Sequence, residues 1–564
     1  MTNIGIAQLV AYCAIILPLA IFFGNYIANV FSCKNTFASK LLQPIERIIY
    51  KICAIDAAKE QDWKSYAVSM LSFSVIGLVF LFGILKLQNL LPLNPGNFPA
   101  LGTSLALNTA VSFTTNTNWQ AYSGESTMSY FSQMLGLNVQ NFLSAATGVA
   151  LLIALVRGIA RSNANTIGNF YVDLTRSILY IFLPLAIIGA ILLVSQGVPQ
   201  NFSNYVEVQT LEGGTQIIPQ GPVASQVAIK QIGTNGGGFF GANAAHPYEN
   251  PTPFSNLLQL IFMLLIPIAL TRTYGKMVGD TKQGWTIFAS MAVLFVIGLT
   301  IVSITETNAN PALAQYGITD GANSLEGKEV RFGVPASVFW SVATTATSSG
   351  SVNSMHDSFM PLSGLVQMTN IMFGAVVFGG AGSGLYGMII FVIVTVFIAG
   401  LMVGRTPEYM GKKIESREIK LAIVAILTIP LGVLGIGGIS ILVPEGAASI
   451  QAEGAHGLSQ FLYAHASAIG NNGSAFAGFN ANTEYHNIAL ALEMLIGRFF
   501  YIIPMLGIAG SLARKQILPM SNGTFPTHGL QFVGLLVGVV FVVDGLTFFP
   551  VLILGPGLEH LLMR

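Results

Sequence analysis

The chain has 564 residues, of which 53% are hydrophobic and only 9% charged, and its mean hydropathy is +0.66. Soluble domains carry about 25% charged residues, so this composition excludes an ordinary soluble protein and predicts an all-α, multi-pass protein of the lipid bilayer. The net charge of +1 gives no indication of nucleic-acid binding, and three cysteines argue against a disulfide framework.

Ten apolar segments are long enough to cross about 30 Å of hydrocarbon. They lie near residues 4–30, 66–91, 130–156, 172–196, 254–275, 284–305, 364–403, 418–443, 485–510 and 528–554. The first lacks a basic region before it and is too long for a signal peptide, so we interpret it as a retained span. The seventh is about twice the usual length and is interrupted by Phe378-Gly-Gly-Ala-Gly-Ser-Gly384, which fits either two spans or one broken helix.

Basic residues indicate the orientation. Nineteen of the 25 Lys and Arg residues flank or fill the loops after spans one, three, five, seven and nine: Lys34, Lys40, Arg47, Lys51, Lys59, Lys64, Arg157, Arg161, Arg176, Arg272, Lys276, Lys282, Arg405, Lys412, Lys413, Arg417, Lys420, Arg514 and Lys515. These loops are therefore predicted to be cytoplasmic, with the N-terminus outside. The alternation holds only if the seventh segment counts once, which favours a single broken helix.

The opposite loops contain a four-fold repeat. Four stretches align without gaps: Thr115-Asn116-Thr117, Thr234-Asn235-Gly236, Ser348-Ser349-Gly350 and Asn471-Asn472-Gly473. Each follows a short segment typical of a half-membrane helix, and a span lies on either side. The repeat predicts four pore units, at residues 66–160, 161–276, 277–405 (with a broken second helix) and 406–515. The first span with its basic loop, residues 1–65, precedes them, and the last span, in residues 516–564, follows.

The depth of these loops indicates what they do. Non-helical backbone at membrane depth is tolerated only where it is buried or lines a water-filled path. Four such loops around an axis offer carbonyls and small hydroxyls that can replace the hydration shell of a cation. The glycine cluster Gly233-Thr-Asn-Gly-Gly-Gly238 also suggests a phosphate-binding loop, but it follows a half-helix rather than a strand, and the chain has no GxxxxGK[ST] motif. A cation filter is therefore favoured over a nucleotide site, and generic re-entrant loops are the remaining alternative.

Six motifs resemble those of one family. They are TTNTNWQ, GTNGGGFFGANAAHPYENPTP, TSSGSVNSMHDSF, GNNGSAFAGF, FGGAGSGLYGM and GRTPEYMGKKI. Together they resemble the potassium-binding A subunits of bacterial Kdp potassium-transporting ATPases, and the resemblance runs through essentially the whole chain. It implies the fold of the superfamily of potassium transporters: four span–pore-helix–filter–span units arranged like a tetrameric potassium channel, with one extra span at each end.

The resemblance also implies a function and partners. It implies selection of K⁺ from outside the bacterial inner (plasma) membrane, with no nucleotide bound by this chain. ATP hydrolysis would belong to the B subunit of the Kdp complex, a P-type ATPase, accompanied by a single-span C subunit and often by a small peptide, the F subunit. The ion would pass from the filter into a tunnel leading to the P-type ATPase. Carried over by position, the filter residues are Thr115, Asn116, Thr117, Thr234, Asn235, Gly236, Ser348, Ser349, Gly350, Asn471, Asn472 and Gly473.

Two positions depart from the family pattern. The first loop has Thr117 where the aligned loops have glycine, and Ala375-Val-Val-Phe378 stands where the family usually has a glutamate before Phe-Gly-Gly. The second departure puts any role for a carboxylate at that position in doubt.

The interruption of the seventh span predicts a barrier. Each glycine destabilises a helix by roughly 1 kcal/mol relative to alanine. A continuous helix through this stretch is therefore unfavourable. We expect the stretch to cross beneath the filter and to divert K⁺ sideways; the alternative is a short cytoplasmic turn between two ordinary spans. The residues concerned are Gly379, Gly380, Gly382, Ser383 and Gly384.

Three polar residues are candidates for the pore vestibule. Arg498 lies inside the ninth span, five residues after Glu493, so it can form an ion pair with Glu493 or face the pore. Lys230 precedes the second filter stretch and is expected to reach water or an acidic neighbour. Gln120 follows the first stretch and can line the outer mouth or make an ordinary loop hydrogen bond.

K⁺ is the only metal expected. The outer histidines match no zinc-binding spacing; they are His246, His356, His465 and His486. Two rival functions remain: a stand-alone potassium channel or ion-coupled K⁺ transporter of the same four-unit fold, and a secondary carrier for an organic solute. The carrier would be expected to show a two-fold repeat, whereas the count here is four.

Overall fold

The computed structural model describes residues 3–308, 310–314, 316–317, 324–374, 376–519 and 525–563. Within them, ten helices are long and apolar enough to span a membrane. They are Asn3–Phe31, Trp63–Leu90, Ser132–Ala160, Phe170–Ser195, Pro253–Met277, Thr281–Glu306, Ser383–Val403, Ser416–Leu442, Glu484–Arg514 and Leu530–Leu562. The predicted number is confirmed. The seventh span begins only at Ser383, because the first part of the predicted segment forms the separate short helix Pro361–Met372.

Four short helices occupy the predicted half-membrane positions. They are Thr103–Thr114, Val223–Ile232, Gly333–Ala346 and Gly454–Ile469. Each precedes one of the four polar stretches, so the span–pore-helix–loop–span order is confirmed in every unit. The second span of each unit is the more buried of its pair, which places the third, fifth, seventh and ninth spans around the centre. The first and last spans expose most of their apolar residues, as lipid-facing helices do.

The span ends carry recognisable caps. The Thr252 side chain accepts from the N–H of Ser255 in a capping box, and Pro253 occupies the first helical position of the fifth span. The Thr483 hydroxyl caps the ninth span by accepting from the N–H of His486. Asp62 and Asp280 cap the second and sixth spans in the same way. These caps set where each helix begins beside a pore loop or a connecting loop.

The remaining elements are short. An amphipathic helix, Ser39–Ile52, follows the first span. Two antiparallel hairpins pair Val206–Gln209 with Thr215–Ile218 and Glu408–Tyr409 with Lys412–Lys413. Short α-helical turns lie at Gly124–Thr127, Pro311–Ala314 and Pro444–Ala447, and 3₁₀ turns at Gln88–Leu90, Asn243–Ala245 and His356–Ser358. Segments of π-helix interrupt four spans, at Ser132–Asn138, Ser177–Phe182, Leu431–Ile436, Phe541–Gly545 and Ile553–Gly557.

The start of the first span and the end of the last span lie on the side of the polar loops. The first span runs parallel to the fifth. Tyr12 lies beside Asn256 near the start of both spans, and Gly24, further along the first span, packs against Ala269, further along the fifth. At the other end of the chain, Glu559 pairs with His456 at the start of the fourth pore helix, with 2.8 Å between Oε1 and Nδ1. This arrangement agrees with ten spans, the seventh counted once, because an even number of membrane crossings returns the chain to the side on which it began.

Candidate functional site

All four pore helices end in the same turn. The last residue before each turn is Thr115, Gly233, Thr347 or Gly470. The next residue is left-handed in every loop, with φ values of 65° at Asn116, 50° at Thr234, 52° at Ser348 and 49° at Asn471. The following N–H then returns to the helix, from Thr117 to Ser112 O (3.0 Å), Asn235 to Lys230 O (2.8 Å), Ser349 to Thr344 O (3.1 Å) and Asn472 to Ser467 O (2.9 Å).

This geometry corrects the gapless alignment of the first loop by one residue. Thr117, not Asn116, corresponds to Asn235, and Asn118, not Thr117, corresponds to Gly236. The third position of the turn has a positive φ in all four loops: 58° at Asn118, 76° at Gly236, 81° at Gly350 and 87° at Gly473. Asparagine adopts this conformation more readily than other non-glycine residues. The departure expected at Thr117 is therefore wrong, and Asn118 takes the place of the glycine.

The loops approach one another in cyclic order. A Cβ atom added to Gly236 would overlap the carbonyl oxygen of Ser349 in the third loop. One added to Gly350 would overlap Asn472 O in the fourth loop, and one added to Gly473 would overlap Thr117 O in the first. Three successive interfaces thus use the same glycine-to-carbonyl approach. The backbone of these loops is therefore packed too closely for side chains at the glycine positions.

Side chains join the loops laterally. The Asn116 amide donates to Thr234 O (3.3 Å), and the Asn471 amide donates to Thr117 Oγ1 (2.9 Å). The Ser348 hydroxyl reaches Gly470 O and Asn471 O, each at 2.9 Å. The Ser144 hydroxyl, from the third span, donates to Asn116 Oδ1 (2.7 Å). Hydrogen bonds from neighbouring loops and from the surrounding helices therefore hold this non-helical backbone inside the membrane, as its polar groups require.

A buried ion pair supports the second loop. Lys230 Nζ is fully buried and pairs with Glu249. It also donates to Gly237 O (2.9 Å) and Asn243 Oδ1 (2.9 Å). Of the two expectations for Lys230, the acidic neighbour is confirmed, and its side chain has no surface exposed to bulk solvent. Glu249 also accepts from the Phe240 N–H (2.9 Å), so the pair ties the glycine-rich segment to the pore helix.

An outer vestibule opens above the loops. Its lining includes Asn118, Gly237, Gly350 and Gly473, one residue from each loop, together with Gln120 and His356. Gln120 lines this cavity and also makes a loop hydrogen-bond pair with Gly238, donating to O (3.0 Å) and accepting from N (2.9 Å). Burial and the charge of Lys328 lower the pKa of His356 to about 3, so this side chain is neutral at physiological pH.

A smaller cavity lies on the other side of the loops. Asn116, Ser348, Gly470 and Asn471 line it from above. Gly374, Gly380, Ser383, Tyr386, Ile429, Ile469, Gly497, Arg498 and Tyr501 complete the lining. The four loops thus separate two cavities, of which the inner one faces the interrupted seventh helix.

The interruption lies against the second loop. The N–H of Ala381 donates to Thr234 Oγ1 (2.7 Å). Gly382 has φ +103° and packs so closely on Gly148 of the third span that a Cβ would overlap Gly148 O. Ala381 and Gly382, in the break before Ser383, are therefore packed between the second loop and the third span. These contacts favour a broken helix over a short cytoplasmic turn between two ordinary spans, because such a turn would lie far from the pore loops. Ala375 lies outside the described residues.

Arg498 lines the inner cavity instead of pairing with Glu493. Its Nη2 donates to Ser144 O (3.2 Å), and Glu493 pairs with His465 at 2.8 Å between Oε1 and Nδ1. The expected alternative of an Arg498–Glu493 ion pair is wrong, because a spacing of five residues points the two side chains to different faces of the ninth span. Among the described residues no salt-bridge partner of Arg498 is present.

No group of three or more histidines, cysteines, aspartates or glutamates able to hold a metal occurs in the described part of the chain. Each of the four outer histidines has its own main partner, and the His465 and His486 rings lie 5.8 Å apart. His246 stacks on Phe240, His356 contacts Tyr463, His465 pairs with Glu493 and His486 contacts Ser449. Their side chains therefore serve packing and hydrogen bonding around the pore helices and loops.

Sequence reasoning missed several residues of the site. The gapless alignment places Thr117 rather than Asn118 at the glycine position, although an asparagine is a signal for positive φ. Ser144 and Gly148 lie in the third span, where nothing in an apolar helix marks them as neighbours of the loops. Glu249 lies 19 residues after Lys230, and only the fold brings the two charges together.

The architecture defines the class of protein first. Ten spans, four pore helices and a ring of re-entrant loops make this a multi-pass membrane protein of the four-unit pore-loop fold. The potassium transporter TrkH from Vibrio parahaemolyticus has a similar fold, with a TM-score of 0.52, 14% sequence identity, and coverage of 87% of this chain and 96% of that one.

The family follows from the sequence comparisons. Residues 10–561 match the family model KdpA, described as potassium-transporting ATPase A subunit. Relatives named potassium-transporting ATPase potassium-binding subunit include one from Rhodospirillum centenum, 55% identical over 100% of this chain and 98% of the relative. Others come from Methylorubrum extorquens (56% identical, 99% and 98%) and Solibacter usitatus (54% identical, 100% and 99%). The chain belongs to the family of A subunits of potassium-transporting ATPases.

Proposed function

We propose that this chain binds K⁺ within the ring of four loops, selects it from the outer side and passes it to an ATP-hydrolysing partner. The closed ring between two cavities carries the proposal. A single re-entrant loop would be compatible with many functions, but four loops packed in cyclic order would enclose one passage at their centre. K⁺ is proposed as the ion because the relatives are named potassium-binding subunits.

The chemistry of the loops suits K⁺. The turn at each pore-helix end contains backbone carbonyls and small hydroxyls, groups that can replace the hydration shell of a monovalent cation. The four pore helices direct their C-terminal, partially negative ends towards the same place. The proposed filter comprises Thr115, Asn116, Thr117, Thr234, Asn235, Gly236, Ser348, Ser349, Gly350, Asn471, Asn472 and Gly473, and the corrected register adds Asn118.

The inner cavity suggests how direct flow is prevented. The glycine-rich segment of the seventh helix, Gly379 to Gly384, lies below the second loop, and the Arg498 guanidinium faces the same cavity. A packed backbone and a positive charge both oppose a cation moving straight on. We propose that these groups form a barrier and that K⁺ leaves the cavity sideways.

The handover requires further proteins. We propose that the acceptor is a P-type ATPase, the B subunit of a Kdp complex in the bacterial inner membrane. A single-span C subunit and a small peptide, the F subunit, would complete this complex. The N-terminus and the pore mouths would face outside, because the basic loops lie at the opposite ends of the spans. Membership in a family of ATPase subunits favours this arrangement over a stand-alone channel or an ion-coupled transporter.

The test is the substitution Gly236→Asp. A side chain there would overlap Ser349 O and bring a charge into the ring, so we expect apparent K⁺ affinity to fall and discrimination against Rb⁺ and Na⁺ to loosen. The measurement is ion competition by the reconstituted complex, with thermal unfolding to verify the fold.

Gly102→Asp is the matched control. Gly102 is open to solvent at the N-cap of the first pore helix, where no atom lies within 4 Å of an added Cβ and aspartate is a favourable cap. Its ion competition should match that of the parent. Unchanged selectivity in a folded Gly236→Asp complex would remove this position from the filter.

A further inference from the structure

A cavity opens between three spans at the end of the molecule opposite the pore loops. Its volume is about 540 Å³, which lies within the range of ligand-binding pockets. Trp63, at the start of the second span, forms one wall. The beginning of the eighth span and the later part of the ninth form the others. Trp63 packs so closely on Gly510 of the ninth span that a Cβ there would overlap its ring, so the first and fourth pore units together form the walls.

The inner part of the cavity is apolar and follows the ninth span. Ile503, Pro504 and Gly507 line it, and Leu421 closes it from the eighth span, with Cδ1 3.1 Å from the position of a Cβ added to Gly507. Ile503 lies eleven residues before Arg514, the last residue of the span. At about 1.5 Å per residue, this part reaches roughly 16 Å from the end of the helix. It therefore lies at the depth of lipid acyl chains.

The mouth of the cavity is basic. Arg417 and Lys420 line it from the first turns of the eighth span, and their spacing of three residues puts them on the same helix face. Lys64 lies beside the opposite wall, with Nζ 5.9 Å from the centre of the Trp63 ring. The acid in that stretch, Asp62, caps the second span. Three basic side chains against one acid leave the mouth positively charged.

Arg417 and Lys420 are not neutralised by the acids of their own helix. Glu415 and Glu418 both pair with Lys515, at 3.1 Å and 2.7 Å from its Nζ. Within the described part of the chain, neither Arg417 nor Lys420 takes part in an ion pair or a side-chain hydrogen bond, and both are exposed. Their charges are therefore available to an anion at the mouth.

We propose that this cavity binds one anionic phospholipid, with its phosphate between Arg417 and Lys420 and an acyl chain over Ile503, Pro504 and Gly507. Basic pockets between spans recognise anionic lipid head groups in this way, and a tryptophan at the opening is typical of the membrane–water interface. A free anion would leave the apolar part unfilled, and a zwitterionic lipid would bring a second positive charge to a basic mouth. The inference goes beyond the proposed function and does not depend on K⁺ binding in the ring.

Photolabelling tests the site. The complex containing the full chain is reconstituted in bilayers with phosphatidylglycerol that carries a photoreactive diazirine on one acyl chain, and mass spectrometry locates the label. We expect labelling at Leu421 and residues 503–507. The double substitution Arg417→Gln/Lys420→Gln should reduce it about tenfold, because both charges that hold the phosphate are lost. Phosphatidylcholine with the same diazirine should label the parent complex as weakly as phosphatidylglycerol labels the double variant.

Lys276→Gln/Lys282→Gln is the matched control. It removes the same charge from the loop between the fifth and sixth spans, and its labelling by phosphatidylglycerol should equal that of the parent. Equal labelling of the Arg417→Gln/Lys420→Gln complex and the parent would show an ordinary boundary lipid and overturn the inference.

Two further outcomes would also overturn it. An unlabelled cavity in the parent complex would mean that a partner subunit covers it or that it takes no lipid. Loss of the label on adding inorganic phosphate at constant ionic strength would assign the mouth to a free anion. Neither outcome bears on ion competition by Gly236→Asp, which tests the proposed function separately.

Discussion

The backbone angle φ of Asn118 determines which residue of the first loop corresponds to the glycines of the other three. Its φ of 58° places it with three glycines, and its amide donates to Asn141 Oδ1 at 2.5 Å. The side chain thus compensates for a conformation that glycine adopts freely. At this position the side chain differs in one loop of the four, whereas the backbone turn is the same in all of them.

We predict that Asn118→Gly preserves ion selectivity and that Asn118→Val does not. Glycine fits the positive φ at a cost of about 1 kcal/mol in chain entropy, whereas a β-branched residue is strongly disfavoured there. The measurements are thermal unfolding and Rb⁺/K⁺ competition in the complex.

Thr117→Val provides the comparison for Asn118. Its φ is not positive, and the substitution removes only the hydroxyl bonded to Thr115 Oγ1 and the Asn471 amide. It should therefore weaken selectivity less than Asn118→Val. Equal behaviour of Asn118→Val and Asn118→Gly would contradict the corrected register.

The interrupted seventh helix is the informative feature at the scale of elements. A run of glycines predicted the break, and the structure confirms it between Met372 and Ser383. Sequence could not predict which loop it contacts, because the bond from Ala381 N to Thr234 Oγ1 joins residues 147 apart. The four pore helices were predictable, since each combines an incomplete hydrophobic length with a polar stretch at its end.

We predict that deleting residues 379–384 makes the protein leak K⁺ down its gradient, because the segment packed beneath the ring is removed. The leak is measured as K⁺ efflux from K⁺-loaded proteoliposomes or as K⁺ influx into K⁺-free proteoliposomes. Deleting residues 211–214, in the exposed turn of the first hairpin, is the control and should leave the membrane tight. A correctly inserted 379–384 deletion without a leak would defeat the barrier.

Labelling tests the same segment without a deletion. Cys13, Cys33 and Cys53 are all exposed, so they are first replaced by serine. A cysteine introduced by Ser383→Cys should then react slowly with a membrane-impermeant thiol reagent added from the cytoplasmic side. Rapid modification would place the segment in a cytoplasmic turn and exclude a barrier.

At the scale of the whole molecule, the number of apolar segments and the distribution of basic residues between the loops predict most of the architecture. Ten apolar segments and basic residues in alternate loops predicted an even number of spans. The contacts of Tyr12 with Asn256 and of Glu559 with His456 place the start of the first span and the end of the last span on the side of the pore loops. The packing order of the loops was not predictable, because it depends on contacts between units that are distant in the sequence.

The division of labour within the complex gives the last prediction. The sequence contains no GxxxxGK[ST] and no DKTG motif, the aspartyl-phosphorylation sequence of P-type ATPases, so the chain lacks recognisable means to bind or cleave ATP. The purified chain should therefore show no K⁺-stimulated ATP hydrolysis, and adding the P-type partner should produce it. Phosphate release is the measurement, with Gly236→Asp in the assembled complex as the control: its hydrolysis should need more K⁺. Steady K⁺-stimulated turnover by the isolated chain would contradict the assignment of ion selection and ATP hydrolysis to different proteins of the complex.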